Sequence, residues 1–293
     1  MLALNLALLS SLAWGVADFV AGLKSRSLPV VTVMLVAVVT GLLLAGAIVA
    51  GRGVEPPAGR HLGYAALSAV LGSVGLAAFY RGLAVGAMSV VAPIAATGAA
   101  VPVAFGLASG ERPGAIQAAG ALLAVVGVAF AAREHDPREA SGEGSPLGAR
   151  RARVARGVPL AVLAAVGLGG FLVAIDAASE GDVGWAILVN RLGSLGLLAL
   201  AALVFRPRAP AGLRDAAPAV AVGVLETTAN LLIAVATTLG LVSLVGVLAS
   251  LYPVVTVALA RVVLGERTAR VQLAGAAAAL GGVVLIAAGG SPG

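Results

Sequence analysis

Stretches of about twenty apolar residues, separated by short clusters of glycine, proline and charged residues, recur along almost all of the 293 positions. Helices rise ~1.5 Å per residue, so a run of that length crosses a hydrocarbon core ~30 Å thick. Breaks at the glycine, proline and charge clusters predict ten spans, near 2–23, 29–50, 61–82, 87–109, 114–132, 158–178, 183–205, 216–238, 241–264 and 269–288. One long polar connector, residues 133–157, mixes charges with Ser, Gly and Pro and divides five spans from five. The pattern predicts an all-α integral membrane protein: a first five-helix repeat over 1–132, a linker over 133–157 and a second repeat over 158–293.

The halves share a short text. Gly110-Glu111-Arg112 follows the fourth span, and Gly265-Glu266-Arg267 follows the ninth, 155 positions later; at that offset Gln117 falls on Gln272, Gly120 on Gly275 and Gly127 on Gly282. Five is odd, so the second half starts from the opposite side of the membrane. The repeats are therefore inverted, related by a pseudo-two-fold axis in the membrane plane. Locally, Gly-Glu-Arg suits a helix connector, with glycine able to end a helix in the left-handed conformation and Pro113 or Thr268 suited to start the next. A direct part in gating is the alternative.

Composition narrows the function. Hydrophobic residues make up 60% of the chain and charged ones 11%, with a mean hydropathy of +1.06. Soluble domains average about 25% charged residues, and no stretch here is left for a soluble catalytic domain. Without cysteine there is no disulfide, thiolate nucleophile or cysteine metal site. His61 and His135 fall in predicted polar connectors, so no metal or other cofactor is expected. The net charge of +6 comes from basic residues that punctuate apolar runs, a topology signal that argues against nucleic acid as a partner. Arg52, Arg60 and Arg112 lie on the face of the termini, whereas every other lysine and arginine except Arg191 lies on the linker's face. The positive-inside rule then places residues 133–157 in the cytoplasm and both termini outside. Asp18 within the first segment, with no basic lead, fits a span better than a cleaved signal.

Charges inside spans cost about 2.5–3.5 kcal/mol near the bilayer centre and are functional candidates by default. Glu226 lies about 15 Å into its span, near the midplane, and Arg191 about 12 Å into the preceding span from the opposite face. The two are placed to pair, either to fix neighbouring helices or to serve a substrate or proton. Asn230 shares the helix face of Glu226, four residues on. Asp18 and Asp176 occur near the ends of the first and sixth spans, where solvation competes with function. Trp14 shares a face with Asp18, Trp185 suits an interfacial anchor, and Tyr80 and Tyr252-Pro253 stand out near or within spans. Proline inside a span leaves a carbonyl without its usual partner and allows a bend. No glycine-rich segment ends in the Lys-Ser/Thr of a nucleotide loop, so no ATP-driven engine is encoded.

Ten spans in two halves, Trp14-Gly15 in the first span and the paired Gly-Glu-Arg connectors resemble the EamA-type branch of the drug/metabolite transporter superfamily. The resemblance covers nearly the whole chain outside Arg133–Gly157. It implies a secondary carrier, not an enzyme, often an exporter of amino acids or other small metabolites, with a cavity between the halves. By position it favours Trp14, Asp18, Tyr80, Asp176, Glu226, Asn230 and Tyr252 as cavity residues, to which Arg191 is added as the expected partner of Glu226. The expected partners are a small-molecule substrate, the lipid of an inner (plasma) membrane and a proton as candidate coupling ion. A lipid-headgroup flippase, a scaffold and a lipid-modifying enzyme are the alternatives. The cargo, its direction and the oligomeric state are not encoded legibly.

Overall fold

The computed structural model describes residues 1–25, 27–85, 94–131, 147–264 and 270–289, and all their regular structure is helical. In chain order the helices are α1 (Leu2–Lys24), α2 (Val30–Arg52), α3 (Gly59–Val85), a short 3-10 turn (Thr97–Ala99) leading into α4 (Ala100–Ala108), α5 (Ala115–Ala131), α6 (Leu147–Ser179), α7 (Val183–Phe205), α8 (Leu213–Leu239), α9 (Val242–Ala249), α10 (Tyr252–Leu264) and α11 (Arg270–Ala288). Six helices among the described residues are long and apolar enough to cross a membrane: α1, α2, α3, α6, α7 and α8. Large apolar side chains such as Leu43, Leu122, Leu200 and Leu203 point outward, as suits a surface solvated by lipid tails.

Two boundaries differ from the sequence expectation. The sixth span was expected from residue 158, but α6 starts at Leu147 and runs for 33 residues, with Pro159 inside it. Alanine and arginine are strong helix formers, so Ala149–Arg156 continues the helix outward past the ~30 Å apolar core. Proline near the membrane surface is tolerated because water can take the freed carbonyl. The ninth span, expected as one helix over 241–264, is broken at Ser250–Leu251 into α9 and α10. Pro253 has no N–H to give the Ala249 carbonyl, and the Ser250 hydroxyl instead donates to the Gly246 carbonyl at 2.7 Å. Residues 86–93, which include Pro93, lie outside the described residues; the chain beyond them passes through the 3-10 turn before α4. An irregular turn thus occupies the corresponding place in the first half.

Packing follows the inverted repeat. The largest interfaces include α3 against α6 and α1 against α8. Exchanging the halves (α1 with α6, α2 with α7, α3 with α8, α4 with α9, α5 with α11) converts one of these into the other. The same exchange turns the α2–α8 contact into α3–α7 and maps α5–α11, α2–α7 and α4–α9 onto themselves.

The glycines that repeat at the 155 offset make the self-mapped α5–α11 seam. A Cβ on Gly120 would lie 2.7 Å from the Gly282 carbonyl oxygen, and one on Gly127 would lie 2.7 Å from that of Gly275. Each glycine therefore faces the repeat-mate of the other. Only glycine allows such backbone contact, which dispersion and weak polar contacts stabilise where lipid offers no hydrophobic drive. At the centre lies α9, with all eight residues buried among Ala7, Val128, Leu172, Ile233 and Ile286.

Candidate functional site

Three aromatic rings from distant parts of the chain meet near the break between α9 and α10. Trp14 of α1 stands edge-on to Phe171 of α6, with centroids 6.3 Å apart at 60°, and to Tyr252 at 6.2 Å and 76°. Trp14 is held in place by its indole N–H, which donates to Asn230 Oδ1 of α8 at 3.1 Å. Small residues bring the backbones this close. A Cβ on Gly15 would sit 2.8 Å from the Tyr252 carbonyl oxygen, and Phe171 lies over Gly72 of α3, where a Cβ would be 3.3 Å from the ring. Edge-to-face packing contributes about 0.5–1.5 kcal/mol per ring pair beyond area burial. The chain has only eleven aromatic residues (Trp 2, Tyr 3, Phe 6), so three at one point is a strong concentration.

The charged residues lie beside this cluster. Glu226 is the middle residue of α8, and Arg191 Nη1 of α7 donates to its Oε2 at 3.3 Å. The pair is asymmetric, with the arginine side chain 5% exposed and the glutamate 30%. Arg191 is thus a fixed, buried counter-charge, while Glu226 keeps an open oxygen. Arg191 Nε and Nη2 and the Thr227 hydroxyl have no hydrogen-bond partner among the described residues. The Thr227 hydroxyl and Arg191 Nε both face Gly41 of α2, where a Cβ would lie 3.0 Å from Arg191 Nε. Asp18 follows Trp14 by one turn and is close enough to Glu226 and Tyr252 to interact with both through space. Its position at the end of the first span had left solvation as a competing account. The fold instead leaves Asp18 partly buried, beside a second carboxylate.

The other expected residues lie elsewhere. Asp176, near the end of the sixth span, has the Thr237 hydroxyl beside it and Glu180 and Glu111 within electrostatic reach, a group separate from the aromatic cluster. The side chain of Tyr80 falls outside the described residues. Asn190 is buried and donates to Ser68 Oγ at 2.8 Å, joining α7 to α3. His61 was expected in a polar connector but is buried in the first turn of α3, its Nδ1 3.0 Å from the Ala177 carbonyl and a Cβ at Gly181 only 2.7 Å from its Cγ. Trp185 donates to the Val54 carbonyl at 3.0 Å, fastening the start of α7 to the α2–α3 connector. Phe171 was missed by the sequence reading. A phenylalanine in an apolar span carries no signal of its own.

Glu111 was read chiefly as part of a connector, and its carboxylate does more. Gly110 has φ of +96° and ends α4 in the left-handed region, which turns Glu111 back toward the bundle. Glu111 Oε1 accepts from the Val242 N–H at 2.7 Å, and Oε2 from the Ser243 N–H at 3.2 Å. The first connector therefore caps the buried half-helix α9 of the other repeat. The matching connector, Gly265-Glu266-Arg267, lies outside the described residues.

Two ion pairs tie the ends of the spans. Lys24 pairs with Asp215, which also accepts from the Ala211 N–H at 3.0 Å. Arg52 pairs with Asp182 at 2.7 Å, and Asp182 accepts from the Trp185 N–H at 2.9 Å as the N-cap of α7. Burial alone would raise Asp182, but Arg52 and the helix N–H groups outweigh it and hold the carboxylate low.

Comparison with known proteins fits this geometry. A solved crystal structure, 20% identical, superposes with a TM-score of 0.77 over 97% of this chain and 95% of its own, a likeness of fold. Among curated protein sequences none matches significantly. The sequence profile of the EamA-like transporter family matches residues 1–133 and again 155–288, one match on each side of the polar connector. With ten apolar segments, two halves that pack by exchange and a charged cluster where the halves meet, the chain belongs to the EamA-like transporter family, a group of multi-pass membrane transporters in the drug/metabolite transporter superfamily.

Proposed function

We propose that this protein is a secondary carrier that moves a small metabolite by alternating access, with export as the expected direction and a proton as the coupling ion. The site is the cluster of Trp14, Asp18, Arg191, Glu226, Asn230 and Tyr252, drawn from both repeats. The supporting observation is the buried Arg191 beneath a partly open Glu226 in the middle of α8, with Asp18 within electrostatic reach of that glutamate. Charges so placed are costly, and a site that gains and loses a ligand or proton offsets that cost in a way a purely structural pair seldom does. A break in α9–α10 next to the site supplies a hinge, as discontinuous helices do in carriers built from inverted repeats. Residues 1–132 and 158–293 serve as the two moving halves, with the linker cytoplasmic by its arginine content.

Proteoliposome transport tests the reading. A thermal-shift screen against amino acids, nucleosides, sugars and organic cations first finds a ligand, since binding to the folded state raises stability. Flux of that ligand is then followed with and without a pH gradient. Saturable flux that Glu226→Gln abolishes is expected; a protein that binds such a ligand yet passes none of it is not a carrier. Orientation is tested separately in this cysteine-free chain. Ala58→Cys should react with an impermeant maleimide in intact cells and Ser27→Cys should not.

A further inference from the structure

We infer that Glu111 is the latch of a gate on the face that carries the termini: the site opens to that face only when the Val242 and Ser243 N–H groups leave its carboxylate. This rests on the carrier reading above and assigns one of its moving contacts. Position is the first reason. α8 ends at Leu239 and α9 starts at Val242, beside the start of α1, since a Cβ on Gly240 would lie 2.8 Å from Ala3 Cβ. From there α9 runs inward for eight residues, about 12 Å at 1.5 Å each, to the break at Ser250–Leu251 next to Tyr252. All eight are buried, so α9 fills the way between the aromatic cluster and the terminus face. A carrier that passes its cargo to that face has to move it.

What holds α9 shut comes from the other repeat. Along its length α9 packs on α4, where a Cβ at Gly246 would lie 2.6 Å from Pro102 Cγ. At its outer end Glu111 accepts from Val242 at 2.7 Å and from Ser243 at 3.2 Å, and the N-cap residue, Leu241, has no side-chain oxygen to take its place. Gly106 of α4 makes room for that reach, since a Cβ there would lie 2.6 Å from the Glu111 carboxyl carbon. A cap within one repeat travels with its own helix. This one joins the α4–α5 connector of the first repeat to a half-helix of the second, so a motion that parts α4 from α9 breaks it. Hydrogen bonds to an ionised carboxylate are roughly twice as strong as neutral ones, and a contact made in one state alone biases the balance between the states. The connector lies at the membrane surface, where water can take the freed N–H groups and carboxylate, so the latch is able to release.

Double electron–electron resonance on the full chain in nanodiscs tests this, and the chain has no native cysteine to remove. Spin labels on Ser109→Cys with Leu239→Cys span the terminus face, and on Ala155→Cys with Leu213→Cys the linker face; all four positions are exposed. Glu111→Ala is expected to raise the ratio of long to short terminus-face distances by about tenfold or more and to shift the linker-face pair toward shorter distances. Glu111→Gln should fall between. Val242→Pro should give the same shift from the other side of the contact, because proline is tolerated at the first position of a helix and Leu241 before it is already extended, with ψ of 125°. Combined with Glu111→Ala, it should add little. Reciprocal movement of the two faces is the readout that a merely structural cap would not give. Unchanged distances in both pairs, or movement in the opposite sense, overturn the latch. So does a terminus-face change with no linker-face response, which reports fraying of α9 alone. If Glu111→Ala does not fold, Val242→Pro and Glu111→Gln decide by the same criterion. Either failure, with saturable flux through the parent in proteoliposomes, leaves the carrier reading standing; a parent that binds a ligand and passes none of it removes both.

Discussion

Replacing Glu111 with alanine should loosen a helix 131 residues away in sequence. The first turn of α9 has Leu241 at its N-cap, which offers no side-chain oxygen, so the Val242 and Ser243 N–H groups depend on the Glu111 carboxylate at 2.7 and 3.2 Å. Hydrogen bonds to a charged group contribute roughly 1.5–3 kcal/mol, and a lost N-cap costs about 0.5–2 kcal/mol. The carboxylate also stands at the positive end of the α9 dipole, worth up to ~2 kcal/mol when partly buried. These overlap, so about 3 kcal/mol is expected for the whole contact, or a factor of roughly 100 in local opening. Hydrogen exchange by mass spectrometry, followed on peptides spanning 240–251 in nanodiscs, reads that factor directly. Glu111→Ala should speed exchange there by about two orders of magnitude, and Glu111→Gln, which keeps one carbonyl acceptor, should fall between the two. Unchanged exchange in Glu111→Ala would refute the cap and return Gly-Glu-Arg to a plain connector.

Arg191→Ala leaves Glu226 without its buried partner and should cost about 3–5 kcal/mol; combining it with Glu226→Gln should recover part of that loss in detergent melting, and strictly additive losses would argue against the pair. Gly127→Val drives a side chain into the Gly275 carbonyl at 2.7 Å and should destabilise by at least 1–3 kcal/mol, whereas Gly63→Ala, with nothing within 4 Å, should melt like the parent. Asp182 is held below the ordinary aspartate value, so its contribution is complete above the unfolded value of roughly 3.9 and is lost as pH falls through the lower folded value. Melting between pH 7 and 3 should therefore show an acid-side loss that Asp182→Asn reduces, with a modest size because Arg52 is 45% exposed.

Much of the frame is legible in the chain itself. Apolar length fixes where spans can lie, because no exposed backbone survives in hydrocarbon, and an odd number of spans per repeat forces inversion. Gly120, Gly127, Gly275 and Gly282 stand at the repeat offset since a two-fold seam needs the same residue on both sides. Glu226 and Arg191 were readable as a pair because depth follows from position along a helix at 1.5 Å per residue.

Tertiary structure decided which residues at similar depth become neighbours, since rotation about a helix axis and the choice of packing partner are long-range effects. Asp18 and Asp176 both fall near the ends of equivalent spans, yet Asp18 lies beside Glu226 and Tyr252 while Asp176 lies beside Thr237. Phe171 joins Trp14 only because α3 and α6 close over the small residues Gly72, Gly75 and Gly167. The broken ninth span was foreshadowed by Pro253, but its cap came from the other half of the molecule. The sequence determined a bundle of two inverted halves, since span length and copy number are local properties. The fold alone determined that Arg191 pairs with Glu226 and that Asp18 comes within electrostatic reach of that glutamate.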